Sequence, residues 1–295
     1  MNWGCMMTAM VTPFDAAGGI DFDGVATLVD HLIATGSTSL LVCGTTGESP
    51  TLTHDEKIAL LKAVVAQAAG RVPVLMGSGG NCTRSSIELT QEVSALGIDG
   101  IMLVCPYYNK PTQEGLFQHF AATARATGLP VMIYNIEART ARNIAPETVA
   151  RLAREVPNIV AVKEASGSIG QFAAVALAAP EGFTLYSGND SDTPAILACG
   201  GVGVVSVASH VAGRPTRAMI EAFLGGDFER GRRLYLALMP LVAALFPPTS
   251  VSPAPVKAAL ELIGRPVGGL RLPLVPADDA VRADLAAALA RLENL

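Results

Sequence analysis

The residue best placed for chemistry is Lys163, which ends the apolar run Asn158-Ile-Val-Ala-Val-Lys163. It is the only one of the five lysines that falls in a predicted strand. Burial disfavours an ammonium, so a lysine there can drop well below its usual pKa of about 10.4 and attack carbonyl carbons. Imine formation is the chemistry this predicts. The alternative from the residue alone is an ion pair with a carboxylate such as Glu48 or Glu164.

Hydroxyl groups near a lysine of this kind are needed to move protons while a carbinolamine becomes an imine. Tyr134, Tyr108 and Thr45 follow or end predicted strands and are candidates for such a relay. The alternative is that the two tyrosines are core aromatics and that Thr45 only shapes a turn. The sequence Gly44-Thr-Thr-Gly47 offers backbone N–H groups and hydroxyls for a substrate carboxylate. Arg139 could bind a second carboxylate bidentately, through two of its guanidinium N–H groups.

The elements that must position these residues are short apolar runs followed by turn signals. Their starts lie roughly 20 to 35 residues apart, the spacing of repeated strand–helix units with a parallel sheet. The predicted strands are Met6 to Val11, Ser39 to Val42, Val74 to Gly77, Ile101 to Val104, Val131 to Tyr134, Ile159 to Lys163, Thr184 to Ser187 and Val202 to Val207.

Eight such units fit either a (β/α)8 barrel or an open doubly wound sheet. The open sheet usually has a glycine-rich phosphate turn after its first strand, whereas Val11-Thr-Pro-Phe-Asp15 stands there, so the barrel is favoured. In a barrel the site is built past the C-terminal strand ends, where the candidate residues fall. Helical patterns after about Pro215 predict a barrel over residues 1–224 and a helical extension over 225–295.

Composition excludes several classes of protein. Half of the residues are apolar and 16% are charged, which suits a large core. The net charge of −5 is spread without a basic run, so we expect no nucleic acid partner. No apolar stretch reaches membrane-spanning length and no export signal is visible, so we expect a cytoplasmic protein without membrane contact.

Cofactor and disulfide chemistry find little support in the sequence. The five cysteines stand singly, which suits reduced thiols, and Cys105 in apolar surroundings suits an inert one. The four histidines lack ligand spacing, so no metal is expected. The sequence has no phosphate-binding loop or dinucleotide motif, and we expect no nucleotide cofactor.

The candidate residues fall in four short motifs: Gly44-Thr-Thr-Gly-Glu-Ser49, Pro106-Tyr-Tyr-Asn109, Tyr134-Asn135 with Arg139-Thr140, and Val162-Lys-Glu-Ala165. Together these motifs resemble the dihydrodipicolinate synthase and N-acetylneuraminate lyase family, and the resemblance covers nearly the whole chain. The double threonine and Arg139 are more similar to the dihydrodipicolinate synthase branch.

The resemblance implies a Schiff-base lyase that condenses pyruvate with aspartate semialdehyde to hydroxy-tetrahydrodipicolinate, in lysine and diaminopimelate biosynthesis. It needs no metal or organic cofactor. Lys163 would form the imine, Tyr134 would donate and accept protons, and Thr45 and Tyr108 would complete the relay.

The remaining roles concern substrate contacts and assembly. Thr46 is similar to the family's contact to the pyruvate carboxylate, and Arg139 to its contact to the semialdehyde carboxylate. Val205 and Gly188 match positions near the pyruvate and the imine. Family members are usually homotetramers in which a tyrosine of the neighbouring subunit enters each relay, and Tyr107 resembles that residue.

Two departures from the family pattern bear on function. Glu137 stands where the family usually has proline, and its charge could pair with Arg139 or face solvent. Lys57 and Ser85, beside a retained Asn81, replace a histidine and a glutamate of lysine-inhibited members, which predicts weak or no inhibition by lysine. Two other readings are a lyase for sugar-derived keto acids and a non-catalytic keto-acid-binding protein.

Overall fold

The computed structural model describes residues 3–292, and within them every predicted strand is present. The strands are parallel and follow one another in a closed barrel, so the predicted (β/α)8 barrel is confirmed and the open sheet was wrong. Their bounds are β1 Met6–Ala9, β2 Ser39–Val42, β3 Val74–Gly77, β4 Gly100–Val104, β5 Val131–Asn135, β6 Ile159–Glu164, β7 Thr184–Ser187 and β8 Gly203–Ser206.

The strands are buried on both faces, as near-continuous Val, Ile, Leu and Met predicts for a parallel sheet. All four residues of β1, β2 and β8 are buried, and so are all five of β5. Apolar burial of this extent is the main term that stabilises the fold.

Helices connect the strands and form the C-terminal part of the chain. α2 begins with a capping box: Thr53 Oγ1 accepts from the Glu56 N–H at 3.2 Å, and the Glu56 carboxylate accepts from the Thr53 N–H at 2.8 Å. The helices are α1 Phe22–Ala34, α2 His54–Ala68, α3 Thr83–Ser94, α4 Gln113–Ala124, α5 Glu137–Thr140, α6 Pro146–Glu155, α7 Ile169–Ala178, α8 Thr193–Ala198, α9 Ser209–Leu224, α10 Phe228–Leu245, α11 Ala254–Leu262 and α12 Asp279–Leu292.

The helix after β8 starts earlier than the sequence predicts. Its pattern indicated residues 216–224, whereas α9 begins at Ser209 and passes a non-helical Ala212 before Pro215. Proline tolerates a first turn but breaks a helix interior, which made Pro215 look like a start. The end of the predicted helical extension, residues 225–295, lies outside the described range.

Contacts divide the chain into two compact units. One contains the described residues up to Val72 and those from Ser206 onwards; the other is Pro73–Val205. In the first unit α9 packs on β1 and α10, and α10 and α11 pack on α12. In the second, β3 to β8 carry α3, α4, α6, α7 and α8 in neighbouring pairs. No helix among residues 3–292 has the length and apolar character to cross a membrane.

Candidate active site

Lys163 and Tyr134 lie side by side on adjacent strands. Tyr134 in β5 pairs in register with Lys163 in β6, and Lys163 Nζ lies 4.0 Å from the centroid of the tyrosine ring. Both side chains are buried, with 6% and 4% exposure for Lys163 and Tyr134. The structure therefore brings the predicted nucleophile and the predicted proton carrier together.

The surroundings of Lys163 favour its neutral form. Burial lowers the pKa of Lys163 to about 7, Asp190 acts in the opposite direction, and the Arg139 guanidinium lowers the pKa further. Burial also raises the pKa of Tyr134. At neutral pH the lysine is thus partly a free amine, while the phenol keeps its proton and can give it up to a leaving oxygen.

The two carboxylates named as possible partners of Lys163 bind elsewhere. The Glu164 carboxylate accepts a hydrogen bond from the Ser166 N–H at 2.8 Å. Asn135 Nδ2 donates to both carboxylate oxygens of Glu164, at 3.0 and 2.9 Å. Glu48 lies 2.7 Å from the ammonium of Lys257. Within the described part of Pro73–Val205, no ion pair involves Lys163. The ion-pair alternative for Lys163 is therefore not what the structure has.

Gly188 lies against the Lys163 side chain. An added Cβ there would be 3.2 Å from Lys163 Cε and 2.5 Å from Ala165 Cβ, so any larger residue would displace the lysine or its neighbour. The Gly188 N–H donates to Glu164 O at 2.7 Å and fixes this approach. Val205, also predicted near the substrate, is a buried residue of β8.

Arg139 and Glu137 both belong to the short helix α5, and both side chains are exposed. Residues two apart on a helix do not face each other, and among the described residues no ion pair joins these two. Arg139 acts on Lys163 and Tyr134 through its charge. Of the two possibilities for Glu137, the structure has the solvent-facing one.

A polar network behind the lysine was missed by sequence reasoning. Asn135 Oδ1 accepts from the Ile144 N–H at 2.9 Å, and Asn135 Nδ2 donates to Asn143 Oδ1 at 2.7 Å. Asn143 Nδ2 in turn donates to Gln171 Oε1 at 3.2 Å. The Asn135 side chain thereby connects the end of β5 to Asn143 and Ile144, at the far end of the loop that carries Arg139. The sequence signal for this network was the position of Asn135 beside Tyr134 at a strand end, because a buried amide there is expected to be hydrogen-bonded.

Thr45 and Thr46 lie in the other compact unit, on a tight turn after β2. The Gly47 N–H donates to Gly44 O and the Glu48 N–H to Thr45 O, each at 3.1 Å. Thr12 Oγ1 donates to Gly47 O at 2.6 Å. Thr46 is buried and Thr45 half-buried. These hydrogen bonds fix the backbone of the turn more firmly than a turn at the surface requires.

Tyr107 and Tyr108 point away from the interior of their own chain. Tyr108 is 91% exposed and Tyr107 41%. Tyr108 also has a left-handed backbone, with φ of 70°. A large aromatic held out in a strained conformation is typical of a residue with a use outside its own core.

Among residues 3–292 there is no metal site, and the Cys105 thiol is not a reactive one. No group of three or more His, Cys, Asp or Glu is arranged to hold a metal ion there. Burial raises the pKa of the Cys105 thiol to about 11, as expected for an inert cysteine.

Comparison with known proteins identifies the family. Residues 2–292 match the model of the dihydrodipicolinate synthetase family. The chain belongs to this family. The 4-hydroxy-tetrahydrodipicolinate synthase of Bacillus subtilis (strain 168) is 49% identical over 99% of this chain and 100% of its own length. That of Moorella thermoacetica is 52% identical over 98% of each chain. The crystal structure of a dihydrodipicolinate synthase from Bacillus anthracis superposes with a TM-score of 0.95 at 46% identity, covering 98% of each chain.

Proposed function

We propose that this protein is a 4-hydroxy-tetrahydrodipicolinate synthase, a Schiff-base lyase that condenses pyruvate with L-aspartate 4-semialdehyde. The observation that carries the proposal is the buried Lys163 against Tyr134, with no ion pair to Lys163 among the described residues. Full-length identity of about half to relatives of that name supports the choice of reaction.

The reaction follows from the chemistry of the amine. Lys163 Nζ attacks the keto carbon of pyruvate, and the carbinolamine hydroxyl leaves as water after receiving a proton, for which Tyr134 is the donor. Loss of a proton from the pyruvate methyl group gives an enamine, whose carbon attacks the aldehyde. The amine of the bound semialdehyde then adds to the imine carbon, expels Lys163 and closes the ring. Thr45 and Tyr108 complete the proton relay.

The substrate carboxylates need separate contacts. The Thr45–Thr46 turn supplies hydroxyls and backbone N–H groups for the pyruvate carboxylate, with Thr46 as the principal contact. Arg139 binds the semialdehyde carboxylate. Its guanidinium has no carboxylate partner among the described residues, which favours this substrate over a sugar-derived keto acid. Gly188 and Val205 line the pyruvate end.

Assembly is part of the proposed mechanism. We propose a homotetramer in which a tyrosine of one subunit enters the relay of its neighbour. The sequence pointed to Tyr107 for this role, but the 91% exposure of Tyr108 makes Tyr108 the better candidate. Sedimentation equilibrium measures the assembly, and a monomer with full turnover would overturn this part of the proposal.

Three expectations from the sequence stay predictions. They are the cytoplasmic location, the division into a barrel over 1–224 and an extension over 225–295, and weak or absent inhibition by lysine. Turnover measured at increasing lysine concentration tests the last of them.

The test of the function is reductive trapping followed by an aldehyde screen. Pyruvate and borohydride should add one reduced pyruvate unit to the peptide that contains Lys163, because only an imine is reduced to a stable amine. Aspartate semialdehyde should then give the fastest turnover in a panel that includes sugar-derived aldehydes. A folded protein without an adduct would exclude the Schiff-base mechanism, and an adduct without aldehyde consumption would indicate a keto-acid-binding protein.

A further inference from the structure

A second buried lysine lies in the C-terminal part of the chain. Lys257 Nζ lies 2.7 Å from Glu48 Oε1, with 4% and 0% exposure of the two side chains. The ammonium also donates to Gly269 O at 2.6 Å and lies 4.4 Å from the centroid of the Phe14 ring. The pair thus joins α11 to the turn after β2 within one compact unit.

Arg271 adds a second set of contacts to the same turn. Its backbone N–H donates to Glu48 Oε2 at 3.1 Å, and its Nη1 donates to Thr51 O at 2.9 Å. The guanidinium also binds Glu56 through both Nη atoms, at 2.8 and 2.5 Å. Bidentate pairs of this kind have a fixed geometry, so they locate both partners.

Arg271 and Gly269, the carbonyl partner of Lys257, belong to one segment, residues 266–271, which we call the C-terminal strap. The strap runs close to Phe14: a Cβ on Gly268 would lie 1.7 Å from Phe14 O. A cavity of about 320 Å³ borders the strap and Lys257. Because the cavity interrupts the packing, the polar contacts provide much of the stabilisation of the strap.

Glu48 connects the strap to the proposed substrate turn. Its backbone is left-handed, with φ of 55°, a conformation that is unfavourable for a residue with a side chain. Its N–H closes the turn by donating to Thr45 O at 3.1 Å. A buried carboxylate without its cation would move toward water and take this backbone with it.

We propose that Lys257 and Arg271 are positioning residues: the Lys257 ammonium and the Arg271 backbone N–H act through Glu48 to hold the Thr45–Thr46 turn in the conformation that binds the pyruvate carboxylate. The inference rests on the proposed function, because it assigns the turn to pyruvate. Neither positioning residue touches the substrate. In this proposal the C-terminal extension positions a substrate-binding turn, and its role is not only structural.

The test compares two variants at the pair with a control variant. Lys257→Met removes the cation and leaves Glu48 buried and unpaired. The double variant Glu48→Gln/Lys257→Met removes both charges, so it should fold even where the single variant does not. Leu285→Ala, in the fully buried core of α12, destabilises the extension without touching the pair.

The readout is the rate of pyruvate trapping on Lys163 against pyruvate concentration, beside the unfolding midpoint of each variant. The concentration for half-maximal trapping should rise about tenfold in both variants at the pair, the effect of losing one charge-assisted hydrogen bond. In Leu285→Ala it should stay within about twofold of the wild type, even where its midpoint falls as far.

Each outcome has a separate meaning. Equal half-saturation in the double variant and the wild type would overturn the positioning role, since stability alone would then account for the single variant. A wild type that is not trapped by pyruvate would instead refute the proposed function. Trapping that weakens only with loss of stability, in the control as in the pair variants, would also overturn the inference.

Discussion

The protein contains two buried lysines whose surroundings differ in one respect. Lys163 and Lys257 each lie over an aromatic ring, at 4.0 and 4.4 Å, and burial lowers the pKa of both. Lys257 has a carboxylate 2.7 Å away and a carbonyl at 2.6 Å. Lys163 has no ion pair within the described part of its unit.

The difference separates a structural lysine from a reactive one. An ammonium with a carboxylate and a carbonyl has its lost hydration replaced, so its proton and its position are both held. An ammonium without these partners is stabilised by giving up its proton, which leaves a nucleophile. Burial alone therefore does not predict reactivity; the partners decide it.

The largest expected effect comes from removing the unpaired lysine. Lys163→Met should abolish pyruvate trapping and lower turnover by at least about a thousandfold, because no other group can form the imine. The same change should raise the free energy of unfolding by about 1–3 kcal/mol, since a poorly solvated amine becomes an apolar side chain. Turnover assays and urea unfolding measure the two effects.

The pH dependence of that stability gain gives a check on its cause. The pKa of Lys163 is about 7 in the folded protein, below its value in the unfolded chain. Between these two pKa values the unfolded chain therefore binds more protons than the folded protein. Wild-type stability should therefore rise toward pH 10, and the advantage of Lys163→Met should shrink over the same range. An advantage that is constant with pH would contradict the desolvation account.

Removing the paired lysine should have the opposite sign. Lys257→Met should lower the free energy of unfolding by about 3–5 kcal/mol, because Glu48 stays buried without its cation. Glu48→Gln/Lys257→Met should recover at least about half of this loss. Urea unfolding of the four proteins in this cycle gives the coupling energy directly. A coupling near zero would mean that the two lysines differ less than the structure indicates.

The charges around Lys163 offer a finer test of the same contrast. The rate of pyruvate trapping should rise about tenfold from pH 6 to pH 8, with a midpoint near the lysine pKa of about 7. Arg139→Gln removes a cation that lowers this pKa, so the midpoint should move to higher pH. Asp190→Asn removes an anion that raises it, so the midpoint should move to lower pH.

The two substitutions serve as controls for each other. Both alter the surroundings of one amine, and both should change the rate at pH 6 by roughly twofold to tenfold, in opposite directions. Shifts of the same sign in the two variants would indicate a general disturbance of the site instead of an electrostatic effect.

The sequence allowed the barrel and Lys163 to be predicted because both depend on local pattern. Short apolar runs define strands, and a lysine at the end of one is conspicuous. Lys257 was not predictable in this way, since it stands in an ordinary helical pattern after a proline-rich stretch. Its partner Glu48 is more than 200 positions away, and only the folded chain brings Lys257, Arg271 and Glu48 together.

The tyrosine pair shows a different limit of sequence reasoning. Tyr107 and Tyr108 are neighbours of the same type, so composition and spacing cannot say which one is the more exposed. Tyr108 is 91% exposed and has a left-handed backbone, with φ of 70°. That conformation depends on the loop after β4, where no local pattern predicts it.

The smallest effect is expected at Glu137, which stands where the family usually has proline and lies two residues from Arg139. Its side chain is exposed and it has no ion pair with Arg139 among the described residues. Exposed charges are well screened, so Glu137→Gln should change the KM for aspartate semialdehyde and the midpoint of pyruvate trapping by less than about twofold. Arg139→Gln, two residues away on α5, is the matched comparison and should raise that KM by much more. A fall in KM of tenfold in Glu137→Gln would show that the carboxylate does oppose Arg139 in the working enzyme, and the choice between the semialdehyde and a less acidic aldehyde would then turn on this one residue.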